Sequence, residues 1–139
     1  MTTALDTNVL VSLWNEDDSL NWAAKGAMRA ALARGRLVIA APVFAELLAS
    51  PTRDEAFLDK FLVTTGISVD WDLGEAIWRA AGRAFRVHAS RRQQGGPGPR
   101  RILADFLIGA HAVENGFSLL TLEHKFYRTV FPRLVLPNM

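Results

Sequence analysis

The sequence predicts an α/β fold: a central parallel β-sheet of about five strands, flanked by helices on both faces. Three observations carry this expectation. Short apolar runs of three or four residues alternate with stretches of helical periodicity along the whole chain. Several of those runs are continuously apolar, as strands covered on both faces tend to be. The chain has 139 residues, of which half are hydrophobic and 22% are charged, which suits one ordinary domain with a sizeable core. No internal repeat or second domain is visible, so one domain over residues 1–139 is expected.

Taken in order, Thr3–Leu5 is a short first strand. Thr7–Trp14 reads as a helical turn or two, ending in the polar run Asn15–Ser19. Leu20–Arg34 has apolar residues at helical spacing (Leu20, Ala23, Ala24, Ala27, Met28, Ala31, Leu32), with Gly35 as its stop. Leu37–Ala40 is a buried strand. Pro42 suits the first position of a helix over Pro42–Ala49, which Pro51 closes. Thr52-Arg53-Asp54-Glu55 has the form of a capping box and opens a helix through about Leu62. Ile67–Val69 is a third strand, and the helix opened by Asp72–Glu75 runs to about His88. Ser90–Arg101 contains Gly95, Gly96, Pro97, Gly98 and Pro99 and is expected to be a loop. Leu103–Glu114 is apolar nearly all round and therefore predicted as a buried helix, with Gly116 as its C-terminal signal. Phe117–Leu120, Glu123–Thr129 and Leu134–Leu136 complete the pattern as strand, short helix and final strand.

Composition narrows the function. No uncharged run exceeds nine residues, so no membrane-spanning helix is expected. Met1–Asp6 lacks the basic and then apolar pattern of a secretory signal. There are no cysteines, which excludes disulfides and thiolate metal sites and fits a cytoplasmic protein. Net charge is +2, but unevenly placed. Arg79–Arg101 holds seven arginines and no acid, while the remainder carries a net −5. Such a run reads either as a solvated helix face or as a contact for a phosphate backbone. Arg91, Arg92, Arg100 and Arg101 are the candidate residues for such a phosphate contact.

Four acids stand out. Asp6 directly follows the first strand and is the single charge between Met1 and Asn15. Its simpler reading is a helix N-cap. Glu46 lies among Phe44, Ala45, Leu47 and Leu48, past the first turn of its helix, where the helix dipole gives little support. Asp105 is the one charge in Ile102–Val113. A carboxylate drawn under with such a helix needs a capping bond, an arginine or a cation. Glu123 follows the fourth strand and opens a helix. In a doubly wound sheet these positions can converge on one crevice, because ligands bind where strands end and helices begin. Several carboxylates there would repel one another, and a divalent cation resolves the conflict. Oxygen ligands with open positions suit Mg²⁺ or Mn²⁺, either of which can activate water against a phosphodiester.

Four segments carry a resemblance: Leu5–Leu10, Phe44–Leu47, Ala104–Ala112 and Leu119–Glu123. In their order and spacing the chain resembles the PIN-domain ribonucleases, and within them the VapC-type toxins of toxin–antitoxin pairs. The likeness spans essentially the whole chain. It implies a PIN fold and a Mg²⁺- or Mn²⁺-dependent endoribonuclease acting on a structured RNA such as a transfer or ribosomal RNA, leaving 5′-phosphate and 3′-hydroxyl ends. By position, Asp6, Glu46 and Asp105 match the family's core acids, and Glu123 stands where the family has aspartate. All four are the expected catalytic and metal-binding residues, with Thr7, Asn8 and Thr121 as support. His111 matches a histidine of some relatives, but a lone histidine on an apolar helix is expected in the core. The implied partners are a VapB-type antitoxin, an RNA substrate and a second copy of the chain, with higher toxin–antitoxin assemblies beyond that. The four tryptophans are expected mainly in the core.

Two rival readings remain. One is a catalytically idle PIN-like module that binds RNA or protein. The other is a phosphatase-like enzyme with Asp6 as nucleophile, against which stands Asn8 where a second acid would be wanted.

Overall fold

The computed structural model describes residues 1–51, 53–93, 95 and 102–139. Four strands form one sheet: β1 (Thr2–Leu5), β2 (Arg36–Ala40), β3 (Ser68–Asp70) and β4 (Ser118–Leu120). All three pairings are parallel, in the order β3-β2-β1-β4, with Thr3 beside Leu37 on one side and Ser118 on the other. Parallel strands need helical crossovers, and the sequence supplies them. These are α1 (Thr7–Trp14), α2 (Asn21–Arg34), α3 (Ala41–Leu48), α4 (Glu55–Thr65), α5 (Glu75–Gln93), α6 (Leu103–Asn115) and α7 (His124–Val130). The strands are apolar because helices flank them: Ala4, Leu5, Val38, Ile39, Leu119 and Leu120 are all buried. The two buried hydroxyls in the sheet satisfy each other, Thr3 Oγ1 lying 3.2 Å from Ser118 Oγ.

Strand order decides where a site can form. The chain steps from β1 outward through β2 to β3, then returns to lay β4 on the opposite side of β1. The order reverses at β1, and a crevice opens beyond the carboxyl ends of β1 and β4. The first residue after β1 is Asp6, and the first after β4 is Thr121.

Helix α6 is the central support. Phe106 through Ala112 are all buried, so it is covered on nearly every side, as its composition predicts. α5 lies along it, with Phe85 stacked on Phe106 at 4.9 Å between ring centroids and the His88 ring at 5.5 Å. Gly109 permits the approach of Phe131, whose Cε2 would stand 2.2 Å from a Cβ at that position. Gly116 ends the helix in the left-handed region at φ 70°, a geometry that glycine adopts without steric cost.

Several expectations need correction. Among the described residues the sheet has four strands, because Leu134–Leu136 does not form a fifth. That segment lies beside β4 through one bond, from Leu119 N–H to the Val135 carbonyl at 2.9 Å, and Pro137 has no N–H to extend the pairing. α4 is capped by Asp54, which accepts from Phe57 N–H at 2.8 Å, and it runs on to Thr65. Thr52, the expected cap, lies outside the described residues. α5 continues to Gln93, five residues beyond His88, and the arginines of its last turn complement the helix dipole. Trp22, Trp71 and Trp78 are exposed rather than in the core, while Trp14 packs edge-on against Phe57 and Phe61. Among the described residues, no helix is long and apolar enough to cross a membrane.

Candidate active site

Asp6 is the N-cap of α1, as its simpler reading predicts, and it does more than cap. The residue is 5% exposed. Oδ1 accepts the Thr7 N–H at 2.8 Å and Oδ2 accepts the Thr121 hydroxyl at 2.7 Å. One carboxylate thus joins the ends of β1 and β4 across the crevice. Burial pushes its pKa up from 3.8 to about 6. The donors facing it from Thr121, Thr7 and Tyr127 act in the opposite direction, and the negative charge of Asp105 adds to the rise.

Thr7 ties the second acid to the first. Its backbone holds Asp6, and its hydroxyl donates to Glu46 Oε1 at 2.6 Å. Glu46 sits half-buried on α3, which packs against α1 and β2, so the short helix after β2 carries its carboxylate to the crevice. Asn8 works as a strut: its Oδ1 accepts Leu122 N–H at 3.1 Å. That bond explains an amide at this position without any nucleophilic chemistry nearby.

Asp105 is half-buried in the first turn of α6. Its Oδ2 accepts the Ile102 N–H at 3.3 Å, a long capping bond. The capping reading is therefore met, and the Asp105 charge is also felt at Asp6 and at Tyr127. Glu123 is exposed at the start of α7; its N–H donates to Thr121 Oγ1 at 2.9 Å. Thr121 therefore accepts from Glu123 and donates to Asp6, which fixes the direction of its hydroxyl hydrogen.

Tyr127 was not singled out in the sequence. It is the chain's one tyrosine and is 1% exposed on α7. Its hydroxyl lies against Asp6 yet makes no hydrogen bond of regular geometry. Burial, then the charges of Asp6, Asp105 and Glu46, push its ionisation far above the ordinary phenol range, so it stays a neutral donor. The available signal was a polar tip on the buried face of the helix that follows Thr121.

The remaining candidates fall outside this cluster. His111 is buried and its Nε2 meets Asp70 Oδ2 at 2.7 Å, a core pairing at the end of β3. Arg91 and Arg92 are exposed in the last turn of α5, beyond His88, whose ring meets Phe106 one residue after Asp105. Arg100 and Arg101 lie outside the described residues.

The donors suit a hard cation. Asp6, Glu46 and Asp105 supply oxygen only, the Asp6 charge is costly where it stands, and a buried hydroxyl beside it lacks a partner. Among the described residues, no three His, Cys, Asp or Glu side chains converge tightly enough to enclose an ion. Asp6, Glu46 and Asp105 are the residues that would hold a divalent cation, with water and substrate left to fill its other positions.

A family model described as PIN domain matches residues 3–132. No curated protein sequence matches the chain. Similar solved structures include VapBC2 from Rickettsia felis bound to a DNA fragment from their promoter, with a TM-score of 0.69 and 22% identity, covering 100% of this chain and 99% of that one. VapBC-1 from nontypeable Haemophilus influenzae has a TM-score of 0.67 and 20% identity, covering 99% and 98%. A toxin–antitoxin complex from Klebsiella pneumoniae has a TM-score of 0.64 and 18% identity, covering 98% of each chain. At these identities the likeness is one of fold.

Proposed function

Since the chain belongs to the PIN-domain family, we propose that it is a divalent-cation-dependent endoribonuclease and the VapC-like half of a toxin–antitoxin pair, with residues 1–139 forming one domain. The observation that carries this reading is the Asp6 carboxylate. It is buried at the reversal of strand order, gripped on both oxygens, and tied through Thr7 to a second acid, Glu46.

Mg²⁺ or Mn²⁺, held by Asp6 and Asp105 with Glu46 and Glu123 at the margin, would supply a polarised water and neutralise charge developing on phosphorus. The protein's own part is to prepare the carboxylates. Thr7 and Thr121 fix the Asp6 oxygens, Thr7 also orients Glu46, and Asn8 holds the loop after β4 against α1. The exposed Arg91 and Arg92 offer forked donors to an RNA backbone near the start of α6. Transfer or ribosomal RNA is the substrate class this reading names.

A VapB-type antitoxin, a second copy of the chain and larger assemblies of the two are the proposed protein partners, in the cytoplasm. The exposed Trp22, Trp71 and Trp78 support a protein-binding role, since large aromatics are enriched at such surfaces. The open spacing of the acids and the exposure of Glu123 favour one second reading, an idle PIN-like module.

One experiment separates the two. Purified protein is incubated with transfer and ribosomal RNA in Mn²⁺ or Mg²⁺, with and without EDTA, beside an Asp105→Asn variant whose circular dichroism matches the wild type. Cleavage that needs the ion and disappears in the variant is expected. No cleavage by the wild type, or equal cleavage by both, would leave the idle module as the better reading.

A further inference from the structure

The three acids are each held by donors, and one donor beside Asp6 is left over. Asp6 accepts from Thr7 and Thr121, Glu46 from Thr7, and Asp105 from Ile102. The Tyr127 hydroxyl is fully buried beside Asp6, feels the charges of Asp105 and Glu46, and makes no hydrogen bond of regular geometry among the described residues. If the side chain served only to fill space, phenylalanine would do so without burying a hydroxyl. The helix uses phenylalanine at the neighbouring position, where Phe126 packs edge-on against both Phe106 and the Tyr127 ring. The tyrosine oxygen is therefore an added cost at a site of three negative charges, where a neutral donor has a use.

We propose that Tyr127 is a positioning residue of the carboxylate centre, its hydroxyl holding the Asp6 carboxylate in orientation when that carboxylate engages a divalent cation. The inference rests on the cation-dependent reading given above. Each Asp6 oxygen already has one donor and retains a further acceptor site, so the carboxylate can take the phenol hydrogen as well as bind an ion. Groups that hydrogen-bond to metal-ligating carboxylates set the orientation and affinity of those ligands, and their loss commonly costs about 10- to 100-fold in metal affinity. Tyr127 works from behind Asp6, inside the core, and is not expected to touch RNA.

Two measurements test this on the full chain. The first is the Mn²⁺ affinity of the wild type and Tyr127→Phe, read by electron paramagnetic resonance of free Mn²⁺. The second is the tyrosine ¹³Cζ resonance of the wild type, which is a single signal because the chain has one tyrosine, titrated with Mg²⁺. The expected result is about tenfold weaker Mn²⁺ binding in Tyr127→Phe, together with a Cζ shift that saturates with Mg²⁺. Unchanged affinity in Tyr127→Phe overturns the proposal, as does weaker affinity with a stationary Cζ signal, which would mark a purely structural role. If Tyr127→Phe does not fold, the Cζ titration alone decides. A wild type that binds no Mn²⁺ defeats the cation-dependent reading itself, a result distinct from either of the others.

Discussion

Thr121 donates its hydroxyl hydrogen to Asp6 Oδ2 at 2.7 Å, joining the residue after β4 to the residue after β1. These two positions are 115 residues apart in sequence and adjacent only because β4 returns to pair with β1. The bond is buried and charge-assisted, and Thr121 in turn accepts the Glu123 N–H. Thr121→Val preserves shape and removes both roles. It is expected to destabilise the protein by about 1.5–3 kcal/mol at neutral pH, as loss of a hydrogen bond to a buried charge does. Urea denaturation of the two proteins measures this, and a difference near zero would show that the bond contributes nothing net.

The raised pKa of Asp6 makes a signed prediction for stability against pH. Its folded value of about 6 exceeds the reference 3.8, so between those values the native state binds more protons than the unfolded chain. The contribution is fully present below pH 3.8 and is lost as pH rises through 6. The size is about 3 kcal/mol, from a shift of roughly two units. Other acids titrate in the same window, so the comparison is with Asp6→Asn, which cannot ionise. In the presence of EDTA the variant should gain on the wild type by about 3 kcal/mol between pH 4 and pH 7. Added Mn²⁺ should return stability to the wild type alone. A gap that does not widen with pH would mean that Asp6 is better solvated than its burial implies.

The order of elements could be read before the fold, and the acids drew notice, because each left a local mark. Asp105 is one charge in an apolar helix, and Asp6 is the first charge after an apolar strand. What stayed hidden depends on distant partners. Leu134–Leu136 is as apolar as a strand, yet among the described residues β4 meets it through the Leu119 N–H, and Pro137 has no N–H to extend the pairing. Trp71 has the composition of a core residue, but it follows the edge strand β3 and meets Phe44 edge-on at 4.8 Å while remaining 63% exposed. Tyr127 belongs to a helix of seven residues with no motif of its own, and it gains meaning only from carboxylates brought in by α1, α3 and α6.

Gly109 tests the packing that fixes α6. Alanine normally gains about 1 kcal/mol over glycine inside a helix. Here its Cβ would stand 2.2 Å from Phe131 Cε2 and 2.5 Å from Cδ2, so the ring or the helix must move. Gly109→Ala is expected to be destabilising by about 1–3 kcal/mol, the usual cost of overpacking. Combined with Phe131→Leu, part of the loss should return, since the smaller side chain makes room. Thermal or urea unfolding of the wild type and the two variants checks this, and a stabilised Gly109→Ala would show that Phe131 swings aside freely.

Glu46 separates charge from hydrogen bonding within the proposed catalytic site. Its Oε1 accepts the Thr7 hydroxyl at 2.6 Å, and glutamine presents the same oxygen without the charge. Glu46→Gln should therefore keep the tie between α1 and α3, leaving the unfolding midpoint close to that of the wild type. If the carboxylate helps hold the cation, RNA cleavage should fall about 10- to 100-fold, with part of the loss recovered at higher Mn²⁺. If Glu46 serves only to anchor Thr7, glutamine should cleave as well as glutamate does, and Glu46→Ala should be the damaging change through lost stability. Cleavage rates at two Mn²⁺ concentrations, set beside unfolding curves of both variants, tell a charged ligand from a structural acceptor.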